Sequence, residues 1–387
     1  MIASSQRWRN LGAAAGAATA ALFAIFDLYQ WAAAYAADLF HNDFTFYYVA
    51  AKIGLAQGWP SIYDLSLQQA QLDMLGSGIK VAELARYISP PPVAWAALPL
   101  TSLPYPVAYW IWSALLVGAL ISTWYLAAPG AGRARMIYLA AAVGWLPVIY
   151  GLQLGQPGLF VALGVAGSYA LLRADRPFLA GIALGLLALK PQLAFLAPLA
   201  LLAGRQDRAF LGSVVALGAL AAASVLALGG DGLGAYEARL GFAASVPVNR
   251  ELTLAYLLGD AARPVQVAIA FWTLALAYRL RRRGIEWIYV SALVGGMLAT
   301  PYVHLDDLAM LGLAAWLCLR ANPPAWTWIY LLAGIVTVEG EPIWGPLPVI
   351  AAELGAVVLL SVAAFTSRDV LTLPQIDARP LELRPKR

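Results

Sequence analysis

Apolar runs broken by arginine, glycine and proline recur about twelve times along these 387 residues, and that recurrence leaves few folds open. The runs fall near 11–35, 104–127, 136–150, 158–172, 177–189, 191–203, 209–228, 264–280, 285–300, 307–320, 325–338 and 345–366. A hydrocarbon core of about 30 Å takes roughly 20 apolar residues as a helix. Inside it a chain satisfies its own backbone polar groups only as helices or closed barrels. The short alternating segments of a barrel are absent, so the sequence predicts an all-α polytopic membrane protein with about 12 transmembrane helices. Charged residues make up only 12% of the chain against 61% hydrophobic, well below the roughly 25% charged of soluble domains. The runs around Pro147 and Pro191 are short and are expected to tilt, break or re-enter.

Charge sets the predicted orientation. With a cytoplasmic N-terminus, the inside segments and the tail carry 18 of the 25 lysines and arginines, among them Arg7, Arg9, Arg173, Arg176, Arg281, Arg282, Arg283 and Arg320. The positive-inside rule then turns the two long loops, 38–103 and 229–263, outward. The N-terminal run, followed by "AAAYAAD", also fits a cleaved secretory signal, which would leave the same side facing out. The expected organisation is one transmembrane domain, 1–366, in the inner (plasma) membrane, followed by a cytoplasmic tail, 367–387. In the first outer loop, "DFTFYYVAAKIGLAQ" and "LSLQQAQLDMLG" have the spacing of two short amphipathic helices lying on the membrane surface.

Polar residues gather at the predicted outer mouths of these runs. They are Asp43 after the first, Gln156 in "YGLQLGQPGLF", Lys190 in "LALKPQLAF", Asn249, Arg250 and Glu251 in "VPVNRELTLAY", and His304, Asp306 and Asp307 in "TPYVHLDDLAM". Ionisable groups at membrane depth are costly unless they face a wet cavity, so their coincidence on one side predicts an outward polar pocket. Each also has a plainer reading. Lys190 can snorkel to the interface, His304 can cap a helix starting at Leu305 or Asp306, and Asp43 can cap the helix that follows it. Asp27 and Glu353, inside runs, either pair with neighbouring helices or face the cavity.

Several function classes are excluded or disfavoured. One cysteine, Cys318, rules out an intramolecular disulfide, and two histidines, His41 and His304, make a zinc centre improbable. "HLDD" has carboxylates suited to Mg²⁺ or Mn²⁺, but no metal and no cofactor is expected. The net charge of +4 is spread over short loops rather than one patch, so nucleic acid is not an expected partner. No phosphate-binding glycine loop occurs. An enzyme with an outward site and no nucleotide motif needs a lipid-borne activated donor.

The stretches "NDFTFYYVAAK", "GWPSIYD", "YISPPPVAWAALPLTSLP", "LQLGQPGLFVAL", "FLAGIALGLLALKPQLAFLAPLALL" and "ATPYVHLDDLAML", in that order, resemble glycosyltransferase family 87 over about residues 38–320. The resemblance implies a GT-C fold and inverting transfer of a sugar, with mannose the leaning, from a polyprenyl phosphate to a lipid-linked or cell-envelope glycan. The site would face the periplasm or cell exterior. It implies Asp43 as general base, His304, Lys190 and Arg250 as donor phosphate ligands, and Gln156, Asn249, Tyr47, Tyr87, Asp306 and Asp307 as substrate contacts. Tyr47, Tyr48 and Tyr87 either stack on sugar rings or anchor the loop. Two other readings stay open: a transporter or lipid flippase, which interrupted helices and buried charges also suit, and a non-catalytic scaffold. A second polar cluster on the cytoplasmic side at matching depth would favour transport, and an outward pocket with a lipid-sized groove would favour transfer.

Overall fold

The computed structural model describes residues 2–81 and 86–366, and every regular element among them is helical. The expected tail, 367–387, lies outside the described residues. The chain opens with α1 (Ile2–Ala37), followed by a layer of shorter helices, α2 (Asp43–Gln57), α3 (Leu65–Met74) and α4 (Pro91–Ala97). The bundle then continues through α5 (Tyr105–Ala127), α6 (Gly132–Val143), α7 (Leu146–Leu154), α8 (Gly158–Arg173), α9 (Pro177–Ala183), α10 (Leu196–Ala203) and α11 (Asp207–Ser245). It closes with α12 (Ala255–Leu258), α13 (Ala262–Leu280), α14 (Ile285–Ala299), α15 (Ala309–Arg320), α16 (Thr327–Glu339), α17 (Glu341–Trp344) and α18 (Leu347–Phe365).

Among the described residues, five helices are long and apolar enough to cross a membrane, six if the bent pair α6–α7 is one span. By this measure the expected figure of about twelve is not reached. Several of the apolar runs fold instead into short helices joined at bends. The chain turns by 58° between α6 and α7. There the Leu146 amide, exposed by the break, donates to Glu339 Oε1 at 2.8 Å. α11 would be about 58 Å long as one rod, but it breaks at Gly229, whose φ of +59° with ψ of −168° suits only glycine. A span-length stretch is thereby separated from a second segment, Gly230 to Ser245, that folds over the layer of short helices.

α2 and α3 form where the sequence predicts them, but α2 does not lie on a surface. Phe44 to Ala51, Ile53 and Gly54 are all buried, because α3, α4 and the turn over Leu98–Ser102 pack around the helix. Its aromatic residues belong to one cluster with Tyr105, Tyr109 and Trp112 of α5. The layer that carries Asp43 is therefore fixed to the bundle by aromatic packing, which contributes beyond simple burial.

Candidate active site

The site is assembled at one end of the bundle by three interruptions of helix. The first follows α7. Gly155 caps that helix in the left-handed region, φ +71°, and a Cβ there would stand 2.9 Å from Phe44 Cβ. Trp112 Nε1 donates to the Gly155 carbonyl at 2.8 Å, and the Tyr109 hydroxyl donates to that of Gln153 at 3.0 Å. The turn is thus pinned to α5, and Gln156 emerges from it buried.

Asp43 is the first residue of α2. The helix is capped by its neighbour Asn42, whose side chain accepts from the Thr45 amide at 3.2 Å, so Asp43 is not the cap and its carboxylate is available for other contacts. Gln156 Nε2 donates to Asp43 Oδ2. Gln156 Oε1 accepts from Lys190 Nζ at 2.9 Å and from the Tyr47 hydroxyl at 3.3 Å. The amide's orientation follows from chemistry, because an ammonium only donates and a carboxylate only accepts. A flipped amide would set NH₂ against Lys190 and carbonyl against Asp43. Gln156 therefore both orients Asp43 and keeps it from pairing directly with Lys190.

Lys190 occupies the second interruption, between the turns Leu184–Leu189 and Pro191–Leu193. It is 7% exposed. Its ammonium bonds Asp306 Oδ2 at 2.8 Å and pairs with Asp307 Oδ1, both on the third interruption, the turn Leu305–Leu308. The interface reading of Lys190 is thus replaced by a buried ion triad. Burial alone would lower the ammonium's pKa; the two carboxylates outweigh it and raise the value. Asp43 is pushed up to about 6, first by desolvation and then by Asp306, against the opposing pull of Lys190 and Gln156. Two carboxylates share one ammonium, Asp43 is held beside them through Gln156, and Asp306 Oδ1 is buried with no hydrogen-bond partner.

The remaining candidates divide. Asn249 is buried, and its Oδ1 lies 2.7 Å from His304 Nε2. The His304 amide donates to Asp307 Oδ2 at 2.9 Å, so His304 does lead the turn as the cap reading expects. Desolvation lowers its imidazole pKa, favouring the neutral ring. Tyr302, which the sequence did not single out, stacks on that ring with centroids 4.8 Å apart. Tyr47 packs edge-on against Tyr87 at 6.3 Å. Tyr87 in turn stacks on Tyr63, and Tyr63 on Tyr236 of α11. Tyr87 donates its hydroxyl to the Pro90 carbonyl at 2.7 Å, an anchoring contact. Arg250 stands apart, facing the Gly259 carbonyl at 3.5 Å and Asp260 at 3.8 Å.

Among the described residues, no group of three or more His, Cys, Asp and Glu is arranged to hold a metal ion. The cluster sets one carboxylate of raised pKa, Asp43, beside a buried ion triad. A family model described as glycosyltransferase family 87 matches residues 87–338. No curated protein and no solved structure matches the chain.

Proposed function

Because the chain belongs to glycosyltransferase family 87, we propose that it transfers a hexose, with mannose the favoured sugar, from a polyprenyl phosphate to a hydroxyl of a lipid-linked or envelope glycan, with inversion. The observation that carries this reading is the carboxylate of Asp43. Gln156 holds one of its oxygens, and burial together with Asp306 moves its pKa to about 6. That value suits a general base near neutral pH, ionised yet more basic than an ordinary aspartate. Asp43 accepts the proton of the acceptor hydroxyl as its oxygen attacks C1. The C1–O bond to phosphate breaks, and its electron pair leaves with the phosphate. A phosphate leaving group needs little acid assistance, so one carboxylate suffices where glycoside hydrolysis uses two.

Lys190, Asp306 and Asp307 hold Gln156 and the turn Leu305–Leu308 in register, and His304, Asn249, Tyr47 and Tyr87 line the approach. An apolar cavity of about 1510 Å³ lies within the bundle, bordered by Trp145, Val148, Leu159, Val294, Trp316 and Leu360. It includes none of the polar cluster, but Val148 and Leu159 bracket the segment that carries Gln156. Its size and lining support a lipid-borne donor whose isoprenoid chain lies in the bundle. The distribution of basic residues supports an inner-membrane protein with this site facing outward.

The test is sugar transfer by the purified protein in lipid, from labelled polyprenyl-phosphate-mannose to a lipid extract, with Asp43→Asn as control. Transfer is expected to fall by about 10²-fold to 10⁴-fold in a folded variant. Equal transfer by both proteins would remove Asp43 from the chemistry.

A further inference from the structure

The polar cluster is short of positive charge. Lys190 is committed to Asp306 and Asp307, His304 favours its neutral form, and Arg250 faces Asp260. A phosphate entering beside these carboxylates needs a cation that the cluster does not supply.

Such a cation stands on the second segment of α11. Gly232, Tyr236, Arg239 and Ala243 recur at spacings of three and four and share one helix face. Contacts fix where that face points. A Cβ on Gly232 would stand 2.9 Å from Pro60 Cα. Tyr236 stacks on Tyr63, ring centroids 4.9 Å apart. The Ala243 carbonyl accepts from Asn249 Nδ2 at 2.7 Å, and Asn249 holds His304 through its other amide atom. Arg239 lies between these anchors, one turn from the contact to Asn249. Its Nε and Nη1 are buried and have no hydrogen-bond partner. The guanidinium of Arg86 lies over the ring of Phe242, 3.9 Å from its centroid and one turn further along the helix. The neighbouring carboxylate, Glu237, is exposed.

Buried guanidinium N–H groups left unpaired are costly, and a phosphate, which offers several acceptor oxygens, offsets that cost. We propose that Arg239 is the principal ligand of a phosphate site, and that its occupant is the phosphomonoester or phosphodiester head of an isoprenyl lipid. The site deepens the transferase reading and rests on it for the identity of the lipid. Arginine matches phosphate with two donors in one plane, whereas lysine offers a point charge. In the bound state the guanidinium takes the negative charge that the aspartates would repel, and the isoprenoid chain extends away from the polar cluster.

The experiment is calorimetric titration of the full chain in lipid nanodiscs with three probes: a ten-carbon isoprenyl monophosphate, the corresponding alcohol, and inorganic phosphate. For Arg239→Gln, Kd for the isoprenyl phosphate is expected to rise about tenfold to hundredfold, with Arg239→Lys between it and the wild type and the alcohol unaffected. An isoprenyl phosphate that binds at least tenfold more tightly than inorganic phosphate supports a lipid head as the occupant. Equal affinities make free phosphate the ligand and overturn the lipid assignment. Unchanged Kd in both Arg239→Gln and Arg239→Leu overturns the site, as does a wild-type protein that binds neither phosphate. Melting of the ligand-free variants controls for folding and is expected not to fall, since the substitutions remove an unpaired buried donor set. No turnover is needed, so failure of the Asp43 transfer assay would sink the base assignment and leave this site standing.

Discussion

The two ends of α8 and α14 carry polar clusters built on different principles. α8 begins two residues after Gln156 and ends at Arg173, while α14 begins beside Glu286 and ends five residues before His304. The 15 residues of α14 thus hold the clusters about 22 Å apart. At the Arg173 end, Arg173 Nη1 meets Glu286 Oε1 at 3.1 Å, and Tyr169 donates to the same oxygen at 2.8 Å. One cation faces one anion, and Ser168 and Tyr289 satisfy each other at 2.7 Å. At the Asp43 end, Asp306 and Asp307 share one lysine, Asp43 adds a third carboxylate through Gln156, and an aspartate oxygen stays unpaired. A balanced pair closes on itself and asks for no ligand. An unbalanced group stores unmet hydrogen-bonding capacity, which is what a substrate fills.

Removing the shared cation should break that comparison most severely. Lys190→Met leaves Asp306 and Asp307 buried without a counter-charge, and breaking a buried pair in this way costs about 3–5 kcal/mol. The expected result is a large fall in melting temperature in detergent, with transfer lost. Adding Asp306→Asn and Asp307→Asn to Lys190→Met should recover much of the stability, because no buried charge is then left alone. If Lys190→Met melts like the wild type, the triad is not the anchor of this end.

Asp43 should behave in the opposite sense. Its pKa is raised from the ordinary 3.8 to about 6, so the folded protein binds more protons than the unfolded chain between those values. Stability from this group is therefore full below about pH 4 and is lost as pH rises toward 6. At pH 7.5, Asp43→Asn is expected to raise stability by up to about 3 kcal/mol, less the share that partial exposure returns to water. The gain should vanish near pH 4. Transfer by the wild type should show an acid limb near pH 6, rising with pH as the base ionises. In Gln156→Glu a second carboxylate faces Asp43 and should carry that limb upward by a unit or more. A contact that only positions sugar hydroxyls would lower the rate without moving the limb.

How far all this is legible in the chain depends on the surroundings of each residue. Gln156, Lys190, Asp306 and Asp307 stand out because each interrupts an apolar run, and a polar group in such a place has few reasons to exist. Arg239 does not, because "GLGAYEARLGF" reads as a mixed loop. Only the break at Gly229 makes it a helix with an inward face. Asn249 and Arg250 look alike in sequence, yet adjacent residues of a 3₁₀ turn point about 120° apart, so one reaches His304 and the other Asp260. The pattern of α2 reads as one-sided, and its burial on all sides comes from α3 and α4, which no local periodicity reports. The count of about twelve spans is not confirmed for a related reason: hydropathy registers apolar runs but not the bends that glycine and proline put between them.

The smallest effect decides between transfer and transport. The Arg173 side chain is 52% exposed, so Arg173→Met should cost about 1 kcal/mol or less in stability, and transfer should stay within about twofold of wild type. A transport path needs gating groups at both ends of the bundle, and a buried glutamate with an arginine and a tyrosine is chemically able to serve as one. Under that reading Arg173→Met and Glu286→Gln would disable the protein as thoroughly as changes at Asp43, while leaving it folded. Under the transferase reading the two ends are unequal. The Arg173 pair holds the N-terminus of α14 to the C-terminus of α8, and Tyr169 still satisfies Glu286 when the arginine is gone. Measuring transfer and melting together on Arg173→Met therefore separates a closed structural pair from a second functional site.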